Sequence, residues 1–277
     1  MADETFPQAR CDGLIPHVSE LENPTVGHKF ELRKEIELAA TPEQVWAAIA
    51  TGPGIDSWFM GQTEVDPREG GRNTFTMAGH TEESTVTAWE PGKRFAYGTE
   101  PGPDGGFMAI EYLIEGRDQG STVLRLVQSG VLGDNWETEY EAMQVGWDMY
   151  LGTLAAYVRH FPGRHAAQVA AFRPGAGEPD QVWAAVAGAF GISGEVVEGA
   201  PARLVLDGLA PIEGTVDLAG LPTYFGVRTD DALYRFLYSG TDRGSALVLN
   251  HHLFDAGADQ VGAHRAWQEW LDQFPVG

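Results

Sequence analysis

From residue 29 the chain alternates apolar and polar positions, with Phe30, Leu32, Ile36 and Leu38 on one side, which predicts a strand over 29–39. Thr41-Pro42-Glu43-Gln44 then has the form of a capped helix start, with Pro in the first turn and Gln three residues after the cap. Val45, Trp46 and Ile49 give that short helix its buried stripe, and Gly52-Pro53-Gly54 stops it. Trp58-Phe59 follows. Strands are then predicted around 73–77, 83–89, 94–99, 107–115 and 121–128, separated by turn-rich segments such as Glu90-Pro91-Gly92-Lys93 and Gly116–Gly120. Met143, Trp147, Tyr150, Leu151, Leu154 and Val158 recur at spacings of three and four, predicting a long helix that ends at Phe161-Pro162-Gly163.

The pattern then returns. Pro42-Glu43-Gln44-Val45-Trp46-Ala47-Ala48 reappears as Pro179-Asp180-Gln181-Val182-Trp183-Ala184-Ala185. Gly116-Arg117-Asp118-Gln119-Gly120-Ser121 reappears as Gly240-Thr241-Asp242-Arg243-Gly244-Ser245, and Trp147…Phe161-Pro162 as Trp267…Phe274-Pro275. The period is that of a whole domain rather than a solenoid repeat. Strands are expected near 203–206, 214–218, 224–228, 233–238 and 246–253, before a closing helix over 260–273 with Val261, His264, Trp267 and Leu271 on one face. The second copy is shorter and lacks a counterpart of Trp58-Phe59. The predicted organisation is a leader over 1–28, a first domain over 29–163, a linker over 164–177 and a degenerate second domain over 178–277.

Composition narrows the function classes. The 277 residues carry a formal charge of −22, without the basic footprint that nucleic-acid binding requires. No stretch approaches the ~20 apolar residues of a membrane span, and no charged region followed by an apolar run marks a signal peptide. The expected location is the cytoplasm. Cys11 is the single cysteine, so no intrachain disulfide can form.

The element order is that of the helix-grip arrangement, in which a curved antiparallel sheet wraps a long C-terminal helix. Residues 29–162 resemble the START-like (SRPBCC) superfamily, and within it the homologues of the activator of the heat-shock-protein-90 ATPase. The resemblance is carried by Ala40 to Trp46, Trp58-Phe59, Gly70-Gly71, Val86 to Pro91 with Arg94-Phe95, Ser121 to Leu126, and Gly146-Trp147. It implies an α+β fold of two tandem helix-grip domains. It implies function less firmly, because the superfamily hosts binders, cyclases, hydrolases and chaperone-associated proteins on one scaffold.

In such a fold a cavity opens between sheet and long helix. Alternation directs Leu124, Leu126 and Gln128 inward on one strand, with Ile110, Tyr112 and Ile114 on its neighbour. Phe75, Met77, Trp89, Phe95 and Tyr97 are candidate walls, Trp58 and Phe59 a candidate lid, and Trp147, Tyr150 and Leu151 the helical side. Aromatics with a few polar tips suit an apolar small molecule; the plain alternative is that they fill a core.

No catalytic pair assembles. Glu111 is expected to point outward and His80 into solvent, while Gln128 can orient a ligand but supplies no acid or base. His251 and His252 are adjacent on a strand and face opposite sides, so they cannot share a metal. Gly70-Gly71 and Gly105-Gly106 lack the lysine of a phosphate loop and read as turns. The leading expectation is a protein that binds a hydrophobic or aromatic small molecule without metal or cofactor. A chaperone-associated interaction module is the alternative, and a cyclase- or hydrolase-type enzyme the third.

Overall fold

The computed structural model describes residues 27–102, 105–117 and 120–274; the leader's Phe6, Cys11, Leu14, Ile15 and Val18, and Pro275, lie outside them. The predicted first strand is β1, His28–Leu38. Helix α1, Pro42–Ile49, starts as its sequence dictates: the Gln44 amide N–H donates to Thr41 Oγ1, and Thr41 N–H to Gln44 Oε1. Gly52-Pro53-Gly54 ends α1 but also forms a turn of its own, α2, Gly52–Ile55. Glycine is required there, because a Cβ at Gly52 would lie 2.1 Å from the Thr63 carbonyl oxygen.

The remaining strands of the first unit are β2 (Gln62–Val65), β3 (Arg72–Met77), β4 (His80–Glu90), β5 (Arg94–Gly98), β6 (Met108–Gly116) and β7 (Thr122–Leu132). They form one antiparallel sheet in the order β1-β7-β6-β5-β4-β3-β2, and α3, Trp136–His160, lies against it. The short β2 escapes sequence reading because only Thr63 and Val65 mark an alternation in its four residues.

The second unit repeats this plan. Its elements are β8 (Ala167–Arg173), α4 (Pro179–Ala189), β9 (Pro201–Leu204), β10 (Ile212–Gly220), β11 (Tyr224–Arg228), β12 (Ala232–Tyr238), β13 (Leu247–Leu253) and α5 (Gln260–Leu271). The sheet order β8-β13-β12-β11-β10-β9 reproduces the first with one strand fewer at the far edge. The fold is thus two tandem helix-grip units.

Two expectations need correction. Residues 167–173, read in sequence as linker, form β8, which pairs along its length with β13. Small residues disguise it: only Val169 and Ala171 are buried, so its apolar signal is slight. The inward face of α5 is also rotated. Val261 is 74% exposed, and the buried stripe is Ala263, Ala266, Trp267, Trp270 and Leu271. The two tryptophans set the helical phase, and their rings enter the second core with Phe236 and Phe225.

Helix α3 has two buried faces. Trp147, Leu151, Leu154 and Val158 pack into the first core. Met149 and Thr153 are buried on the opposite face, where Gly152 admits Leu218 of β10. The second sheet therefore closes over the back of α3. Leu233 of β12 and Phe254 after β13 join the first unit's core, with Phe254 stacked on Phe161 at 4.1 Å. Between the units Arg235 is 2% exposed. It donates to both oxygens of Asp217, at 2.9 and 2.8 Å, and to Thr153 Oγ1 at 2.9 Å.

Candidate functional site

Strand alternation builds one wall of the first unit's interior. Leu124 and Leu126 on β7 are sealed, with Gln128 beside them at 8% exposure, while Tyr112 and Ile114 line β6. Phe95 and Tyr97 continue the wall on β5, with ring centroids 5.3 Å apart. The facing wall is α3, with Trp147, Tyr150 and Leu151. Phe59 stands between, on the turn after α2. Its ring is 4.4 Å from Tyr150, 5.7 Å from Trp147 in a stacked arrangement, and 6.0 Å from Phe75.

The predicted residues thus divide. Phe59, Phe75, Tyr97, Ile110 and Tyr150 are half-buried, and Phe59 brings Phe75 and Tyr150 together. Leu124, Leu126, Leu151 and Phe95 are fully enclosed structural packing. Trp58 is a pillar rather than a lid: it is 1% exposed and its Nε1 donates to the Ala48 carbonyl. Trp89 packs 4.9 Å from Trp46 of α1, on the far side of Phe95. Met77 is half-buried at the end of β3, opposite His80. Outward-facing Glu111 pairs with Arg94 at 2.6 Å.

The polar groups of this interior are largely engaged. Gln128 Oε1 accepts from Trp147 Nε1 at 2.6 Å, and its amide nitrogen meets Met108 Sδ at 3.1 Å. Gln128 therefore orients the helix before it can orient a ligand. The tyrosine hydroxyls are held neutral by burial, because desolvation penalises the phenolate. Burial pushes Tyr97 up to about 12, offset in part by its hydrogen bond with Tyr112, and raises Tyr150 further. Tyr97 and Tyr150 nevertheless keep some accessible surface and pack at the edge of the first core.

Sequence reading missed what holds Phe59. The second unit supplies a grip on residues 56–59. Gln168 Nε2 donates to the carbonyls of Asp56 and Phe59, at 2.5 and 2.9 Å. His252 Nε2 lies 3.0 Å from the same Phe59 oxygen, and Ala166 N–H donates to Ser57 Oγ. A carbonyl can only accept, so the His252 proton sits on Nε2. His252 and His251 do face opposite ways. His251 Nδ1 accepts from the Arg235 amide, and its ring meets Trp267 at 4.4 Å. Burial holds both imidazoles neutral, His252 at about 4 and His251 well below its ordinary value. The only advance signal was the adjacent pair on an alternating strand, which told their directions but not their partners.

Two cavities lie elsewhere on the protein. One, about 310 Å³, is an open groove between α1 and the end of α3, lined by Gln44, Ala47, Tyr157 and Pro162. The other, about 300 Å³, lies between the second sheet and α5. Among the described residues no three His, Cys, Asp or Glu side chains are grouped to hold a metal ion, and no helix is long and apolar enough to cross a membrane.

Comparison with known proteins bears on the first unit. No curated protein matches the chain. Solved structures match just under half of it. The Mesorhizobium loti protein MLL2253 is 22% identical, over 48% of this chain and 98% of its own, with a TM-score of 0.41. CalU16 from Micromonospora echinospora is 21% identical, over 48% of this chain and 84% of its own, with a TM-score of 0.35. The Aha1 dimer from Colwellia psychrerythraea is 19% identical, over 47% of this chain and 96% of its own, with a TM-score of 0.40. Residues 39–159 match the profile described as activator of Hsp90 ATPase homolog 1-like protein. That span runs from the cap of α1 to the last turn of α3, so the similarity to the activator of Hsp90 ATPase homolog 1-like profile lies within the first unit.

Proposed function

We propose that the first unit binds an apolar or aromatic small molecule in the cleft between its sheet and α3, with Phe59 as the movable group. The observation that carries this reading is the set of facing, half-buried side chains Phe59, Phe75, Tyr97, Ile110 and Tyr150. Closed core would bury them fully. Phe59 stands within ring-contact distance of both walls, so a ligand enters by displacing that ring. Its backbone is fixed by Gln168 and His252, so the motion is a side-chain rotation.

An aromatic ligand burying about 150–250 Å² gains roughly 4–6 kcal/mol at about 25 cal/mol per Å². Lost translational freedom offsets much of that. Modest affinity is expected unless the Tyr97 or Tyr150 hydroxyl adds a hydrogen bond. The same reading takes the two units as copies of one ancestral domain, the second now bracing the first. Association with a chaperone of the Hsp90 type is the alternative that the family match favours.

The test is a native mass spectrum of purified protein before and after denaturation, with titration of an apolar fluorescent dye into wild type and Phe59→Ala. A discrete adduct lost on denaturation, or dye binding strengthened by Phe59→Ala, is expected. A clean spectrum with dye binding absent from both proteins overturns the reading. Co-purification of the chaperone in place of a small molecule would move the assignment to the alternative.

A further inference from the structure

The second unit has a cleft of its own, and its chemistry differs from that of the first. It lies between the sheet and the N-terminal half of α5, with a volume of about 300 Å³. Ile212 and the rings of Tyr234 and Trp267 form its apolar floor. Asp231, Asp255 and Asp259 come to its rim from two connections: the β11–β12 turn, and the β13–α5 loop, whose last residue, Asp259, caps α5.

Each of these carboxylates has one oxygen tied to a local turn. Asp231 Oδ1 accepts from Thr229 Oγ1, Asp255 Oδ1 from the Gly257 amide, and Asp259 Oδ1 from the Gly262 amide. Among the described residues none of the three has a Lys, Arg or His partner. Three uncompensated negative charges therefore surround one opening, on a chain whose formal charge is −22. Inside, Tyr234 is 9% exposed and its hydroxyl makes no hydrogen bond among the described residues. Burial and the Asp231 charge raise its pKa, so the hydroxyl stays protonated. A tyrosine so enclosed, whose hydroxyl opens onto the cavity without a protein partner, is free to take a ligand's hydrogen bond.

We propose that this cleft binds a small organic cation, an ammonium or guanidinium head on a short apolar or aromatic stem. The head takes the free carboxylate oxygens at the rim. The stem lies against Ile212 and Trp267, where the ring faces also attract positive charge. The Tyr234 hydroxyl supplies a hydrogen bond. A bare metal ion does not fit, because the ligating side chains are not grouped closely enough to coordinate one. This site stands independently of the apolar cleft of the first unit.

The experiment titrates the full chain with phenethylammonium, with 2-phenylethanol and 3-phenylpropionate as neutral and anionic probes of similar size. Binding is read by calorimetry and by amide shifts at Gly257 and Gly262. The ammonium is expected to bind at least tenfold more tightly than the alcohol, the carboxylate not at all, with shifts at both glycines and weakening by added salt. Asp255→Asn, which keeps an oxygen acceptor for Gly257, should weaken ammonium binding several-fold, and Tyr234→Phe should do so to a smaller extent. Equal binding of alcohol and ammonium, shifts that avoid both glycines, or no binding by any probe overturns the proposal. If Asp255→Asn fails to fold, the charge selectivity of wild type decides alone.

Discussion

Removing the Asp217 carboxylate is expected to cost more stability than removing the whole Asp217–Arg235 pair. The Arg235 side chain is 2% exposed and that of Asp217 15%, and both Asp217 oxygens accept from the guanidinium. In Asp217→Ala the cation keeps only Thr153 Oγ1 and the Tyr234 carbonyl, and water cannot reach it without opening the contact between α3 and β12. Stranding one partner of a buried pair typically costs about 3–5 kcal/mol. For a protein of this size that corresponds to a melting-temperature loss of roughly 6–20 °C. The double change Asp217→Leu with Arg235→Met removes both desolvation penalties together. It should lie within about 1 kcal/mol of wild type or above it. Urea unfolding followed by tryptophan fluorescence measures both. The reasoning fails if Asp217→Ala costs under about 1 kcal/mol, or if the double variant is as unstable as the single one.

Three further outcomes are expected. His252 titrates at about 4 when folded, against an ordinary value of 6.5. The unfolded chain therefore binds more protons across that window, and stability present above pH 6.5 is lost as pH falls towards 4. Asp56, raised by burial to about 6, acts in the opposite sense, its stabilising proton being lost as pH rises through 6. His252→Gln should thus flatten the acid limb of a stability–pH profile, and an unchanged limb would refute the assignment. Gly152→Ala should change stability little, since the gain in helix propensity of about 1 kcal/mol offsets displacement of the flexible Leu218 terminus. Gly152→Leu should part the units, seen as faster amide exchange in β10 and β12; protected amides in that variant would contradict the packing. Gln168→Ala removes donors from Asp56 and Phe59. It should speed apolar dye uptake by the first unit without altering unfolding of the second, and unchanged uptake kinetics would argue against a held Phe59.

Much of the first unit was legible because its signals are local. Thr41-Pro42-Glu43-Gln44 caps α1 as written, and alternation in β7 puts Leu124, Leu126 and Gln128 inward. The same logic failed where local signals are weak or shared. β8 hides in an alanine-rich stretch, and Val261 looks like a core residue until the tryptophans of α5 fix its phase. Of the candidate site, alternation could say that Trp58 and Phe59 are apolar neighbours. It could not say that one becomes a pillar bonded to Ala48 while the other packs against Tyr150 and Trp147 of α3.

The sequence by itself determined two units, the order of most of their elements and the faces of most strands, because caps, turns and periodicity act over a few residues. Tertiary structure alone decided how the units share α3, where Phe59 stands, and which clefts remain. Those outcomes depend on contacts between distant residues, such as Gln168 with Phe59 and Arg235 with Thr153, which local periodicity does not encode. An Arg–Asp pair on two strands reads as solvated surface until α3 covers it, and three scattered aspartates read as turn residues until the fold brings them to the rim of one cavity.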